Sequence, residues 1–229
     1  MKANLSTQFC GVHFVNPFTL AASPCTDSAE MIGRAFEAGW AGAVLKTTST
    51  EAEEVSIAYP IMSSLNREGR MIGLHNIDLI SERHIDRVAE DVRLLKREFP
   101  QRVVIGSIVG SSKADWQDLA RQMAAAGADM LELSVSCPQG SMVEDEVEPM
   151  GFMISQDPRL TEKITRWVKE AAPRPPAYVK LTSGVTDLGR MVKAVEAGGA
   201  EGVCLIDSVE GLIGIDLNTL EPLLSLIHI

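Results

Sequence analysis

The chain has 229 residues, 45% hydrophobic and 23% charged, a mix that suits one sizeable domain with its own core. Its formal net charge of −10 argues against nucleic acid and against an anionic membrane surface as partners. Since no apolar run approaches the ~18 residues a bilayer span needs and the N-terminus lacks an apolar signal core, a soluble cytoplasmic protein is expected.

Short apolar runs alternate with amphipathic stretches. Phe18 to Ser23 is the first run, and a helix over Ser28 to Ala38 follows, capped by Asp27 or Ser28. Ala43 to Thr47 is the second run. Ile85 to Phe99 then carries apolar residues at 85, 88, 92, 95 and 99, a helical stripe that Pro100 ends. Val103 to Val109 is the third run, and the helix Lys113 to Ala126 puts Trp116, Leu119, Met123 and Ala126 on one face. Met130 to Ser136, Ala177 to Thr182 and Gly202 to Asp207 are the fourth, fifth and sixth runs, with helices over Pro158 to Ala171 and Leu188 to Ala197 between them. Such short, mostly apolar runs are what buried parallel strands look like.

One phrase recurs. Ala38-Gly39, Ala126-Gly127 and Gly198-Gly199 each stand between a helix and a strand, where a glycine can take the positive φ of an αβ turn. The alternation predicts a parallel α/β fold. A doubly wound sheet is the rival, but no GxGxxG follows the first strand, so a TIM barrel is favoured. Six strands are visible where such a barrel needs eight. The last residues, Leu224-Ser225-Leu226-Ile227-His228-Ile229, match the translation of a sequencing-library transposon adapter. A truncated reading frame is therefore expected, with residues 1–223 one barrel domain and 224–229 a non-native tail. The alternative is a short apolar turn or strand belonging to the gene.

In a barrel the active site lies at the C-terminal ends of the strands. That rule selects Ala22 and Ser23, Lys46 and Thr47, Ser107 and Gly110, Ser134, Ser136 and Cys137, Lys180 and Thr182, and Asp207 and Ser208. Lys46 and Lys180 sit in apolar runs, where a lysine is desolvated unless it meets an anion or an electron-rich group. A reduced flavin offers both; the plain alternative is a snorkelling surface lysine. The cysteines, Cys10, Cys25, Cys137 and Cys204, show no CxxC spacing for zinc or an iron–sulfur cluster. Cys137 opens a loop running to about Asp157 with no clear helix, where a thiol can give or take a proton. Cys25 is a second candidate by position, whereas Cys10 and Cys204 read as buried structural cysteines. His13, His75 and His84 show no ligand spacing and read as structural.

An ordered set of motifs now carries a resemblance. Phe9-Cys10-Gly11-Val12, Asn16-Pro17-Phe18, Lys46-Thr47, Leu74-His75-Asn76-Ile77-Asp78-Leu79-Ile80-Ser81-Glu82, Ser136-Cys137-Pro138, Val179-Lys180-Leu181-Thr182 and Ile215-Asp216-Leu217-Asn218 run in order through residues 5 to about 221. Together they resemble the class 1 dihydroorotate dehydrogenases and, more strongly, the dihydropyrimidine dehydrogenases. The resemblance implies an FMN enzyme acting on a ring CH–CH bond, with Cys137 as general acid/base. Ala22, Ser23, Lys46, Thr47, Lys180 and Ser208 would contact the flavin. Asn76, Ser134, Ser136 and Asp207 would face a pyrimidine-like substrate. It also implies an NAD(P)H-oxidising flavoprotein partner, an oligomer, and iron–sulfur clusters only in a missing C-terminal part or in the partner, so that the chain alone is expected to be inactive.

The sequence departs from the family's pattern at three places. Ser134 stands where an asparagine is usual before the cysteine, Asp207-Ser208 replaces Asn-Thr, and Thr182-Ser183-Gly184 replaces Thr-Pro-Asn. An amide can donate and accept at once, which a carboxylate cannot. Uracil is thus expected to be a poor substrate. The alternatives are a flavin-binding or catalytically altered barrel acting on a different ring, and a lyase or isomerase of a phosphorylated ligand.

Overall fold

The computed structural model describes residues 3–50, 62–76, 78–136, 151–209 and 214–220. Cys137, the loop after it to residue 150, and the tail 224–229 lie outside the described residues.

Six parallel strands form one curled sheet: β3 (Thr19–Leu20), β4 (Gly42–Val44), β7 (Val103–Ile108), β8 (Met130–Ser134), β9 (Ala177–Leu181) and β10 (Gly202–Leu205). Each neighbours the next in chain order, and all neighbouring pairs are parallel. A doubly wound sheet would reverse its order at a switch point. This order never reverses, so the sheet is that of an incomplete (β/α) barrel, with β3 and β10 as its edges among the described residues.

Among the described residues five α-helices follow strands as the apolar periodicity predicts: α1 (Ala29–Glu37), α2 (Ile85–Glu98), α3 (Lys113–Ala126), α4 (Pro158–Ala171) and α5 (Leu188–Gly198). Ser28, not Asp27, caps α1, its Oγ accepting from the Met31 N–H. His84 caps α2 in the same way. The recurrent turn has the expected geometry, with φ of 108° at Gly39, 95° at Gly127 and 91° at Gly199.

Side chains alternate across the strands into two cores. Ala43, Leu45, Val104, Ile108, Leu131, Leu133, Val179 and Leu181 face the helices, where they meet Ile32, Phe36, Val92, Leu95, Trp116, Leu119, Ile164 and Val168. Val44, Ile105, Met130 and Tyr178 face inward with Phe14.

Two hairpins were not foreseen. β1 (Thr7–Phe9) and β2 (Val12–Phe14) pair antiparallel across Cys10-Gly11; β5 (Met62–Arg67) and β6 (Arg70–Asn76) pair across Glu68-Gly69. Both turns have positive φ at both central residues: 49° and 78° in the first, 49° and 75° in the second. That is the type I′ conformation, whose usual signatures are Asn-Gly and Asp-Gly. The first hairpin closes the N-terminal end of the barrel. Phe9 packs edge-on against Tyr178 at 5.5 Å, and a Cβ at Gly202 would lie 2.7 Å from the Cys10 sulfur. Cys10 and Cys204 are half-buried here, where full burial was expected. The residues before α4 also hold more structure than the sequence suggests, with Gly151–Gln156 forming a 3-10 helix.

Candidate active site

Below the strand ends lies a buried polar layer. One residue is extra on the β4 side, because Val44 pairs with Ile105 whereas Thr48 pairs with Ile108. Such a bulge re-aims the side chains that follow it. It brings Thr47 beside Ser107, their hydroxyl oxygens 2.8 Å apart. The Ser107 hydroxyl donates to Glu132 Oε1 at 2.9 Å, and the Tyr178 hydroxyl donates to Glu132 Oε2 at 2.8 Å. The adjacent register of Ser107, Glu132 and Tyr178 makes this one layer. Burial pushes the Glu132 carboxyl above its ordinary value, an effect that Lys180 and the two hydroxyls only partly oppose.

One step toward the C-terminal ends, Ser134 pairs in register with Lys180, and Lys180 with Cys204. The Lys180 ammonium lies 3.0 Å from Asp207 Oδ1, and the Ser136 hydroxyl donates to Asp207 Oδ2 at 2.8 Å. Burial works against the Asp207 charge, but Lys180 and Ser136 outweigh it and hold the carboxyl below its usual range. Asp207 is therefore a carboxylate, held from two sides.

These groups border a cavity of about 700 Å³. Its apolar wall includes Leu20, Ala22, Val44 and Ile105; its polar lining includes Glu132, Tyr178, Lys180, Asp207 and Ser208, with Thr7 and Gln8 of the first hairpin at the other end. That volume is within the range of small-molecule and cofactor sites.

Of the expected residues, the structure brings Ala22, Lys180, Asp207 and Ser208 onto this cavity, with Ser136 joined through Asp207. Thr47 and Ser134 are buried in the layers just described. Ser23 caps the 3-10 turn Pro24–Thr26 and is not among the cavity's lining residues. Lys46 is also absent from that lining; it is buried and paired with Asp78 at 2.7 Å. Burial raises the Asp78 carboxyl, and the Lys46 pair offsets this only in part. Asn76, exposed at the end of β6, accepts the Asp78 N–H through its side-chain oxygen at 3.1 Å. Asn76 and Lys46 thus share Asp78. Cys25 is exposed and does not line the cavity. Burial raises the Cys10 thiol to about 11 and that of Cys204 upward, which disfavours either as a proton donor or acceptor near neutrality.

Glu132 and Tyr178 were passed over in sequence. Glu132 gave the signal that singled out the lysines, a charge inside an apolar run. No group of three or more potential metal ligands exists among the described residues.

A singly wound parallel sheet with a lysine-bearing cavity inside it defines an incomplete (β/α)-barrel domain. Residues 4–225 match the dihydroorotate dehydrogenase family, and the chain belongs to that family. It is 38% identical over 220 residues to the NAD-dependent dihydropyrimidine dehydrogenase subunit PreA of Escherichia coli (strain K12), covering 95% of this chain and 51% of that one. Identity is 30% over 228 residues to the chloroplastic dihydropyrimidine dehydrogenase (NADP(+)) of Arabidopsis thaliana, covering 96% and 52%. It is 30% over 223 residues to dihydroorotate dehydrogenase A (fumarate) of Lactiplantibacillus plantarum, covering 96% and 68%. The chain thus spans about half the length of the dihydropyrimidine dehydrogenase relatives. Among the described residues no helix is long and apolar enough to cross a membrane.

Proposed function

We propose that this chain is the catalytic barrel of an FMN-dependent oxidoreductase acting on the CH–CH bond of a dihydropyrimidine- or dihydroorotate-like ring. The observation that carries the reading is Lys180, a cation on the wall of an otherwise largely apolar cavity of about 700 Å³. A flat aromatic cofactor fits such walls, and a lysine suits the edge of one that gains negative charge on reduction. Ala22, Lys180 and Ser208 would hold it from the cavity, with Ser23, Lys46 and Thr47 around it. When bound, FMN supplies a two-electron acceptor or donor for hydride.

The chain's own residues supply position and proton transfer. Asn76, Ser134, Ser136 and Asp207 would orient the ring. Ser136, which is bonded to Asp207 of the cavity wall, immediately precedes Cys137 in sequence, and this supports the assignment of proton transfer to Cys137. In the oxidising direction one ring carbon loses hydride and its neighbour loses a proton, which the Cys137 thiolate accepts. In the reducing direction the thiol returns that proton. A partner that oxidises NAD(P)H would supply the electrons, in keeping with the word "subunit" in the name of the Escherichia coli relative.

The test is Cys137→Ser in the flavin-loaded enzyme. A serine hydroxyl is a far weaker acid than a thiol, so turnover should fall about 100-fold or more with flavin absorbance intact. Unchanged turnover at neutral pH overturns the acid/base role.

A further inference from the structure

The neutral imide edge of a uracil-like ring presents acceptor, donor, acceptor in sequence. A side-chain amide answers it, because its NH₂ donates while its oxygen accepts. Among the described lining residues of the cavity the one side-chain amide is that of Gln8, on β1 at the N-terminal end of the barrel, away from the strand C-termini. At the strand ends the cavity offers the Asp207 carboxylate, and that carboxylate is fixed. Asp207 Oδ1 lies 3.0 Å from the Lys180 ammonium, and Asp207 Oδ2 accepts the Ser136 hydroxyl at 2.8 Å.

Two consequences follow from this geometry. Each carboxylate oxygen keeps a further lone pair, so Asp207 can accept from a ligand but cannot donate to it. Ser136, buried behind Asp207, spends its one hydrogen on Oδ2 and holds the carboxylate in place. The two carboxylate oxygens therefore form an acceptor–acceptor edge on a cavity wall. A ring carbonyl set against that edge meets oxygen lone pairs. A ring N–H beside an exocyclic amino group meets the two complementary oxygens of one carboxylate.

We propose that Asp207, held by Lys180 and Ser136, is a specificity-determining residue that selects aminopyrimidine-type rings, with adjacent N–H and NH₂ donors, over neutral imides. The proposal rests on the reading of the cavity as a flavin and ring-substrate site. It deepens that reading by naming the substrate class. An asparagine could keep only one of the two pairings: its single neutral oxygen accepts from an ammonium less strongly, and its NH₂ repels one. The carboxylate thus does two things at once. It fixes the orientation of Lys180, and it converts the recognition edge from mixed to pure acceptor. Burial normally opposes a carboxylate, yet the ammonium and the hydroxyl keep Asp207 ionised, so the edge stays an acceptor at neutral pH.

The experiment titrates isocytosine, cytosine and uracil separately into the FMN-loaded holoenzyme and into its Asp207→Asn variant, following the flavin absorption band. Charge-assisted hydrogen bonds lie about 1.5–3 kcal/mol above none, so the ratio of uracil to isocytosine dissociation constants should be roughly 10- to 100-fold in the unaltered protein. In Asp207→Asn that ratio should fall to about one or invert. A merely structural Asp207 would weaken all three probes together and leave the ratio unchanged, which overturns the proposal. Uracil bound as tightly as isocytosine by the unaltered protein also overturns it, while leaving the flavin and ring-substrate reading intact. A normal flavin spectrum that none of the three probes perturbs overturns both. Should Asp207→Asn fail to fold, Ser136→Ala serves instead. It frees Asp207 Oδ2 from the hydroxyl that orients it without touching the ion pair and should lower the ratio several-fold.

Discussion

A carboxyl buried as fully as that of Glu132 binds its proton more tightly in the folded chain than in the unfolded one, where its ordinary value is 4.5. The sign follows directly. At pH below 4.5 the group is protonated in both states, and its stabilising contribution is whole. As pH rises above 4.5 the unfolded state releases the proton first, so stability is progressively lost toward the folded value. Glu132→Gln removes the titration but keeps the connections. The amide oxygen can accept from Tyr178, and the amide nitrogen can donate to Ser107, which then turns its hydrogen toward Thr47, since either hydroxyl of that pair can be the donor. Urea unfolding at a series of pH values should show the native chain losing stability relative to Glu132→Gln as pH rises from 4.5 to 8. Parallel curves would show that Glu132 ionises as easily folded as unfolded. Glu132→Ala should instead destabilise at every pH, by about 1–3 kcal/mol for each hydroxyl left without its partner. This residue shows how far the sequence could be read. Charge within an apolar strand flags Lys180 and Glu132 equally. What distinguishes a lysine facing a cavity from a glutamate locked in a layer is which hydroxyls stand beside it, and those come from β7 and β9, distant in sequence.

The helix-to-strand turns repeat a device that strand alternation alone does not disclose. Asp129, two residues past the Gly127 turn, accepts the first β7 N–H but one, that of Val104, at 2.8 Å, and holds Lys96 of α2 at 2.7 Å. Glu201, two residues past the Gly199 turn, accepts the Ala177 N–H at 2.8 Å and holds Lys169 of α4 at 2.6 Å. In each case an acid at the start of one strand ties the start of the previous strand to the helix before it. Asp129→Ala leaves the Val104 N–H without its acceptor and Lys96 with the Arg102 carbonyl in place of its ion pair, and should lower stability by about 1–3 kcal/mol in denaturant unfolding. A change within 0.5 kcal/mol would mean that water replaces both contacts freely. The helices themselves were legible because Ile85, Val88, Val92 and Leu95 bury one stripe, a local property of α2. The two hairpins were not. Their turns are Cys10-Gly11 and Glu68-Gly69, and a non-glycine residue takes positive φ in each, at a conformational cost that only the paired strands compensate.

At the scale of the whole molecule, the sheet has two unpaired edges among the described residues, β3 and β10, and exposed apolar side chains at both: Phe18 beside β3 and Leu205 within β10. The cavity is bounded by residues of both edges, so its shape depends on what holds them at their spacing. In TIM barrels phosphate groups are frequently bound by the loops after the seventh and eighth strands, at the N-terminus of a short helix whose N–H groups face the anion. Residues 1–223 show six parallel strands among the described residues. They carry Lys180 and the apolar wall for an isoalloxazine ring, but the usual phosphate-binding elements are not among the described residues. Ring contacts without a phosphate anchor bind weakly, and exposed edges and apolar side chains favour association over a discrete monomer. Residues 1–223 expressed alone should therefore emerge from gel filtration colourless or nearly so, with far less than one FMN per chain, and should spread into larger species. A yellow, monodisperse monomer with stoichiometric FMN would show instead that the phosphate lies within the described six-stranded sheet and that its edges are self-sufficient.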